Sequence, residues 1–225
     1  MTDDDRHHPA TVTTFGHGTA HGTPDLMQVS ISIETRASTV ALAYGQAGER
    51  TAAVTAALRG DGVRSTDIGT SGLSVRTETT WTEDSGSRIT GYVATTALTV
   101  SLRTDRTDSG DPDPATVVAH AVEAGGDDVR LGGLNLTFAD TETLLVRARD
   151  AAWDDAHAKA TRYAARAGRA LGPVLEITEN TTAAPAPLGG SEFKMVAMAA
   201  PASPVPIEYG ESELSATLRA TWLLD

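Results

Sequence analysis

Two histidines and an aspartate near the start of the chain are the residues best suited to bind a metal. His17, His21 and Asp25 follow one another at intervals of four positions. Two imidazoles and a carboxylate are a donor set that zinc accepts, and such a centre would serve a metal-dependent hydrolase. The histidines lie in a predicted strand and a glycine-rich turn, so helical geometry does not bring their rings together. We therefore predict a polar loop without metal and keep the hydrolase as the least favoured function.

Three tryptophans stand out because aromatic residues make up only 4% of the chain. They are Trp81, Trp153 and Trp222. Large aromatic rings stack on planar aromatic ligands such as flavins, but they also pack in cores and between subunits. Packing is the favoured interpretation. Binding of a flavin-like small molecule at these three residues is the alternative function that the sequence supports.

The sequence lacks other common catalytic arrangements. It contains no cysteine, which excludes disulfides, thiolate metal sites and a cysteine nucleophile. It has no Gly-x-Ser-x-Gly segment of the kind that carries a nucleophilic serine. The glycines at 16 and 18 are not followed at once by a helix, as a dinucleotide-binding turn would require. We therefore predict no catalytic residue, no cofactor and no enzymatic activity.

The dominant structural element is a predicted helix over Asp140–Pro173. Acidic residues at its start and Gly172-Pro173 at its end are typical helix boundaries. Steps of three and four residues form one apolar stripe, namely Leu145, Ala148, Ala152, Ala156, Ala160, Tyr163, Ala167 and Leu171. Because alanine allows close approach of two backbones, we expect this helix to lie flat on a sheet.

Strands and two shorter helices account for most of the remaining chain. Alternating apolar residues predict strands near 11–18, 25–34, 73–81, 89–103, 131–138, 174–179 and 214–224, and helices near 38–59 and 114–124. The third and fourth strands form a long ribbon. The order β-β-α-β-β-α-β-α-β-β predicts an α+β fold, a largely antiparallel sheet with the helices packed on one side. We expect a single domain over residues 11–225 after a disordered tail, 1–10.

A long Ala- and Pro-rich loop is predicted over residues 181–206, because five prolines interrupt regular pairing. It contains an apolar island with Phe193, Met195, Val196 and Met198. Exposed apolar residues of this kind favour a partner surface. The alternative is that the island folds back on its own domain.

The composition limits the classes of binding partner and the compartments that are compatible with the chain. The chain has 225 residues and a formal net charge of −12, which argues against nucleic acid and anionic membrane surfaces. No segment approaches the roughly 20 apolar residues of a membrane span. Residues 1–10 contain no apolar run of the kind found in a secretory signal. We therefore expect an acidic, soluble, cytoplasmic protein.

Several short motifs occur in an order that resembles a known family. They are Thr14-Phe15-Gly16-His17-Gly18, Pro24-Asp25, Thr70-Ser71-Gly72-Leu73-Ser74-Val75, Ile89-Thr90-Gly91-Tyr92-Val93-Ala94, the helix residues Ala151, Asp155, Ala156, Lys159 and Ala160, then Gly168, Leu171-Gly172, Val174, Pro206-Ile207 and Gly210-Glu211. Over residues 11–225 the chain resembles the SIMPL-domain family, which includes periplasmic immunogenic proteins and a group linked to oxidative-stress defence.

The resemblance implies non-enzymatic α+β proteins with no established catalytic residues. Some members assemble into ring- or channel-like oligomers, and part of their fold is similar to the flavin-binding protein dodecin. Many relatives carry a secretion signal that residues 1–10 do not show. The favoured hypothesis is therefore a homo-oligomeric structural or interaction protein with a stress-related role. The small-molecule binding module comes second and the hydrolase third.

Overall fold

The computed structural model describes residues 9–82, 86–104, 110–179 and 204–225 of the chain. In chain order its helices and strands are β1 (Thr11–Gly22), β2 (Leu26–Ala37), α1 (Val40–Gly60), β3 (Ile68–Thr82), β4 (Gly86–Arg103), α2 (Pro114–Gly125), β5 (Val129–Thr137), α3 (Glu142–Arg166), β6 (Leu171–Glu179) and β7 (Ser212–Leu224). The predicted α+β class and the predicted element order are confirmed.

The chain divides into two compact units. Unit 1 comprises Met1–Thr23, Asp140–Gly189 and Glu211–Asp225, and unit 2 comprises Pro24–Ala139 and Gly190–Gly210. The sequence predicts one domain over residues 11–225 because it shows no linker. Since unit 1 is assembled from three separate segments, its boundaries fall between neighbouring elements and leave no linker composition to detect.

Unit 1 contains a three-stranded antiparallel sheet in the order β1-β7-β6, with α3 packed on one face. Alternate residues of β7 are buried, as the sequence pattern predicts, and they are Leu214, Ala216, Leu218, Ala220 and Trp222. The buried stripe of α3 consists of Leu144, Ala148, Ala152, Ala156, Ala160 and Ala164. The helix therefore lies on the sheet through alanines, as predicted.

The prediction that this helix continues to Pro173 is wrong. Helix α3 ends at Arg166, and Leu171 already belongs to β6. Gly168 adopts a φ of 68°, a conformation that only glycine adopts without strain, and it turns the chain out of the helix. Tyr163, placed in the predicted stripe, is 59% exposed because the buried stripe advances in steps of four and passes through Ala164 instead.

Unit 2 contains a four-stranded antiparallel sheet in the order β3-β4-β2-β5. Its core is formed by side chains from β2, β4, α1 and α2 and by Val63, which follows α1. The residues from the four elements are Met27, Val29, Ile31, Ile33, Val54, Leu58, Leu98, Val100, Leu102, Val117 and Ala121. The predicted inward face of β2 is confirmed. Thr39 caps α1 by accepting from the N–H of Leu42, and Asp113 caps α2 by accepting from the N–H of Thr116.

Each sheet is wider than the helix layer that covers it. In unit 1, residues 173–179 of the edge strand β6 are all exposed. In unit 2, residues 69–77 of the edge strand β3 are all exposed. A helix is about 10 Å across and neighbouring strands are about 5 Å apart, so one helix covers about two strands. In the described part of unit 1, one helix over three strands therefore leaves β6 uncovered. In unit 2 both edge strands are exposed, because residues 130–135 of β5 are exposed as well.

Candidate interaction surface

Strand β1 lies against α3 with almost no side chain between the two backbones. A Cβ atom added to Gly16 would overlap the carbonyl oxygen of Ala152, and one added to Gly18 would overlap that of Ala148. Both alanines are fully buried. The hydroxyl of Thr14 donates to the carbonyl of Ala156 at 2.8 Å. The glycines near the start of the chain are therefore required by helix packing.

Asp155 and Lys159 of α3 bind the outer edge of β1. The carboxylate of Asp155 accepts from the backbone N–H of His17 at 2.9 Å. The ammonium of Lys159 donates to the carbonyl of Phe15 at 3.0 Å and to Asp155 at 2.7 Å. Because β1 is an edge strand, these backbone groups have no neighbouring strand to pair with. We call Asp155 and Lys159 the latch and β1 the latched strand.

The latch also sets the ionisation of its carboxylate. Hydrogen bonding from Lys159 lowers the pKa of Asp155 below its ordinary value, and the N–H of His17 lowers it further. Both donors stabilise the charged form of the carboxylate. The latch is therefore strongest when Asp155 is ionised.

The predicted metal donors do not form a cluster. His17 and His21 lie on the same side of β1, but four residues of strand separate their Cα atoms by about 13 Å. The imidazole of His21 lies 3.3 Å from the carboxylate of Glu213. Asp25 belongs to unit 2, where it accepts from the N–H of Ala139 at 2.7 Å. Within residues 9–82, 86–104, 110–179 and 204–225, no three His, Asp or Glu side chains are placed to hold one metal ion.

Two of the three tryptophans lie together in unit 1. The ring centroids of Trp153 and Trp222 are 5.9 Å apart, and His157 lies 6.4 Å from Trp153. Trp222 is 2% exposed, so its role is largely packing, whereas Trp153 is half-buried. Trp81 belongs to unit 2 and is 69% exposed. A flavin-like ligand at Trp153 stays a prediction, and Trp81 does not share that cluster.

At the other edge of the unit 1 sheet, no described strand or helix covers β6. Val174 and Ile177 of β6 are aligned with Trp222 and Ala220 of β7, so they lie on the helix side of the sheet. Val174 is nevertheless 40% exposed, and Ile177 and Leu175 are each 54% exposed. In the described part of unit 1, no side chain hydrogen-bonds to the backbone of β6. We call β6 the open strand.

Charged residues frame this apolar strand. On the side of α3, Arg149 donates to Glu179 at 2.7 Å and to Glu142 at 3.2 Å. Towards β7, Arg219 donates to Glu176 at 2.9 Å. An apolar strip with a charged rim is the usual composition of a protein–protein contact. The open strand is therefore the candidate interaction surface of unit 1.

The sequence predicts the strand over residues 174–179 but not its position at an uncovered edge. The residues of a strand do not show which strands lie beside it in the sheet. The sequence alone therefore does not reveal that Val174, Leu175 and Ile177 form an exposed surface. The predicted partner surface, Phe193, Met195, Val196 and Met198, lies outside the described residues. The same holds for most of the predicted loop 181–206 and for residues 1–8 of the predicted tail.

No described helix combines the length and the hydrophobicity required to cross a bilayer.

Comparison with known proteins identifies related chains. The family model SIMPL, described as a protein of unknown function (DUF541), matches residues 12–222. The 26 kDa periplasmic immunogenic protein of Brucella melitensis is 28% identical over 219 residues, which cover 95% of this chain and 84% of the relative. The protein of the same name from Brucella abortus matches with the same identity and coverage. The resemblance predicted from the sequence motifs is confirmed.

The names of these relatives overturn the predicted cytoplasmic location. Both Brucella proteins are named as periplasmic. The cytoplasmic prediction rested on the absence of an apolar run in residues 1–10, and it is wrong. The composition of ten residues does not determine the compartment in which a folded chain works.

Proposed function

The chain belongs to the SIMPL family of proteins of unknown function, and we propose that it is a non-enzymatic protein that assembles with further copies of itself through the open strand. One observation carries this proposal. Residues 173–179 of β6 are exposed along their whole length, and three of them are large apolar residues. Such an edge is a template for pairing with another strand.

Pairing between two copies of β6 supplies what the isolated strand lacks. Backbone N–H and C=O groups at a sheet edge gain partners when a second strand is added. Two identical strands pair antiparallel about a two-fold axis, which gives a closed and symmetric contact. Val174 and Ile177 of each copy would then lie beside side chains of the second strand on the same face of the sheet.

The non-enzymatic character is supported by the roles of the polar residues that the sequence made candidates. Asp155, Lys159 and the N–H of His17 are engaged in the latch. His21 and Asp25 pair with Glu213 and with the backbone of Ala139. The side chains of Asp155, Lys159, His21 and Asp25 therefore each have a structural partner. His17 takes part in the latch only through its backbone N–H.

We further propose a periplasmic location, because two relatives carry that word in their names. Fractionation of cells that express the native gene tests it. Recovery of the protein with a periplasmic marker is the expected result, and recovery only with a cytosolic marker contradicts it. The stress-related role stays a prediction that rests on the resemblance of the sequence motifs.

Assembly is tested by light scattering on two matched variants. Ile177→Lys places a charge on the open strand, where pairing would bury it, so we expect the native mass to fall towards that of a monomer. Phe15→Lys places the same charge on the latched strand, where Phe15 is 68% exposed, and we expect no change in mass. A wild-type protein that is monomeric at micromolar concentration, or equal loss of mass in both variants, would contradict the proposal.

A further inference from the structure

An open groove runs along α1 in unit 2. It lies between α1 and the strands β3 and β4 and has a volume of about 450 Å³. Its lining comprises Tyr44, Gly48, Thr51, Ala52, Thr55, Ala56, Arg59, Thr70, Leu73 and Thr96. This volume lies within the range of small-molecule sites in proteins, about 300–1,000 Å³.

The helix wall of the groove is made of small residues. Gly48, Ala52 and Ala56 recur every four residues, and a Cβ atom added to Gly48 would meet no atom within 4 Å. Tyr44 and Arg59 stand fifteen residues apart at the two ends, a distance of about 22 Å along the helix axis. The groove is therefore long, and the middle of its helix wall has no bulky side chain.

The sheet wall of the groove carries one uncovered apolar side chain, Leu73, between Thr70 and Thr96. Leu73 of β3 is aligned with Thr96 of β4, which is 6% exposed. Leu73 itself is 58% exposed because α1 does not extend over β3. Covering this side chain would be favourable, since removing apolar area from water contributes about 25 cal/mol per Å².

One end of the groove carries a positive charge without a partner. In the described ranges of the chain, the guanidinium of Arg59 makes no hydrogen bond and no ion pair. Arg50 of the same helix, by contrast, donates to Asp128 at 3.0 Å. A free guanidinium binds a carboxylate through two parallel hydrogen bonds.

We propose that this groove binds a monocarboxylate with an extended apolar body, such as an unbranched fatty acid. The carboxylate pairs with Arg59, and the chain lies over Ala56, Ala52 and Gly48 against Leu73. A single guanidinium matches a single negative charge. The overall charge of −12 disfavours ligands that carry several. The site is independent of the open strand in unit 1.

Calorimetric titration with decanoate tests the proposal on the full chain. Decyltrimethylammonium serves as the matched probe, because it has the same tail and the opposite charge. We expect saturable binding of one decanoate per chain, at least about tenfold tighter than binding of the cation. Absence of decanoate binding, or equal affinity for both probes, would overturn the proposal.

The charge is tested by a pair of substitutions on one helix. Arg59→Gln removes the unpaired guanidinium and should weaken decanoate binding about tenfold or more. Arg50→Gln removes a paired guanidinium outside the groove and should leave the affinity within about twofold. Equal effects of the two substitutions would refute the assignment of Arg59.

The position of the ligand in the groove is tested by a larger side chain that fills the groove and leaves the fold intact. Gly48→Leu fills its middle and replaces a glycine inside a helix, a change that favours the helix by about 1 kcal/mol or less. Decanoate binding should be lost while the thermal stability does not fall. Gln46→Leu adds the same side chain at an exposed position outside the lining, and binding should persist. Retained binding in Gly48→Leu would place the ligand elsewhere and end the proposal.

Discussion

The two edge strands of the unit 1 sheet, β1 and β6, differ in how their outer sides are covered. Helix α3 lies directly on β1, and the latch of Asp155 and Lys159 occupies its edge groups. Strand β6 is exposed from Pro173 to Glu179 and presents apolar residues instead. An edge strand that the described residues leave uncovered is a candidate interaction surface.

Residue size decides which edge the helix covers. Gly16 and Gly18 allow the backbone of α3 to approach β1 more closely than any other residue would. The alanine stripe of the helix provides the matching flat surface. The helix is thereby held to one side of the sheet, and it meets the opposite strand through the exposed pair of Arg149 and Glu179 rather than through close packing.

The largest expected effect comes from breaking the close approach at β1. Gly16→Ala introduces a Cβ that overlaps the carbonyl of Ala152, so we expect a loss of about 3 kcal/mol in the free energy of unfolding. Gly133→Ala is the control, because an added Cβ there meets no atom within 4 Å, and its effect should stay within about 0.5 kcal/mol. Urea unfolding measures both, and similar values for the two variants would contradict the packing account.

A smaller effect is expected from opening the latch. Lys159→Ala removes the bonds to the carbonyl of Phe15 and to Asp155, and we expect a loss of about 1 kcal/mol. The amide hydrogen of His17 should also exchange faster, because its acceptor is no longer held in place. Arg162→Ala changes an exposed residue of the same helix and serves as the control. Unchanged exchange at His17 in Lys159→Ala would show that the latch does not protect the edge.

The latch should also respond to pH. The pKa of Asp155 is lowered in the folded protein, so the unfolded chain binds its proton first. The stabilisation is complete above the unfolded pKa of about 3.9 and is lost as the pH falls through the lower, folded pKa. Unfolding curves between pH 5 and 2.5 should therefore show less acid sensitivity in Asp155→Asn than in the wild type. Identical pH dependence of the two proteins would exclude this role.

The smallest effect is expected at the rim of the open strand. Arg149→Ala removes hydrogen bonds to Glu179 and Glu142, but the three side chains are largely exposed to solvent. Exposed ion pairs contribute little because water and salt screen them. The urea midpoint should not change measurably. A clear loss of stability would mean that charges, rather than close packing, hold β6 to the helix.

Patterns within single elements predict much of this fold. The alternation of Met27 to Ile33 and of Leu214 to Trp222 identifies inward faces because a strand repeats every two residues. The end of α3 was placed too far along the chain, since Gly168 inside an alanine-rich pattern does not reveal its positive φ.

Contacts between distant residues are the part that could not be predicted. His17 and Asp155 are 138 positions apart, and neither residue indicates the other in the sequence. The same limit applies to the proximity of Trp153 and Trp222 and to the exposure of Ile177, because each depends on elements far apart in the chain. The two compact units and the groove along α1 likewise depend on which elements become neighbours.

The most direct test of the contrast between the two edges is amide hydrogen exchange at increasing protein concentration. Assembly through the open strand predicts that peptides covering β6 gain protection as the concentration rises, while peptides covering β1 stay equally protected throughout. A rise in native mass without added protection in β6, or with added protection in β1 instead, would contradict the account.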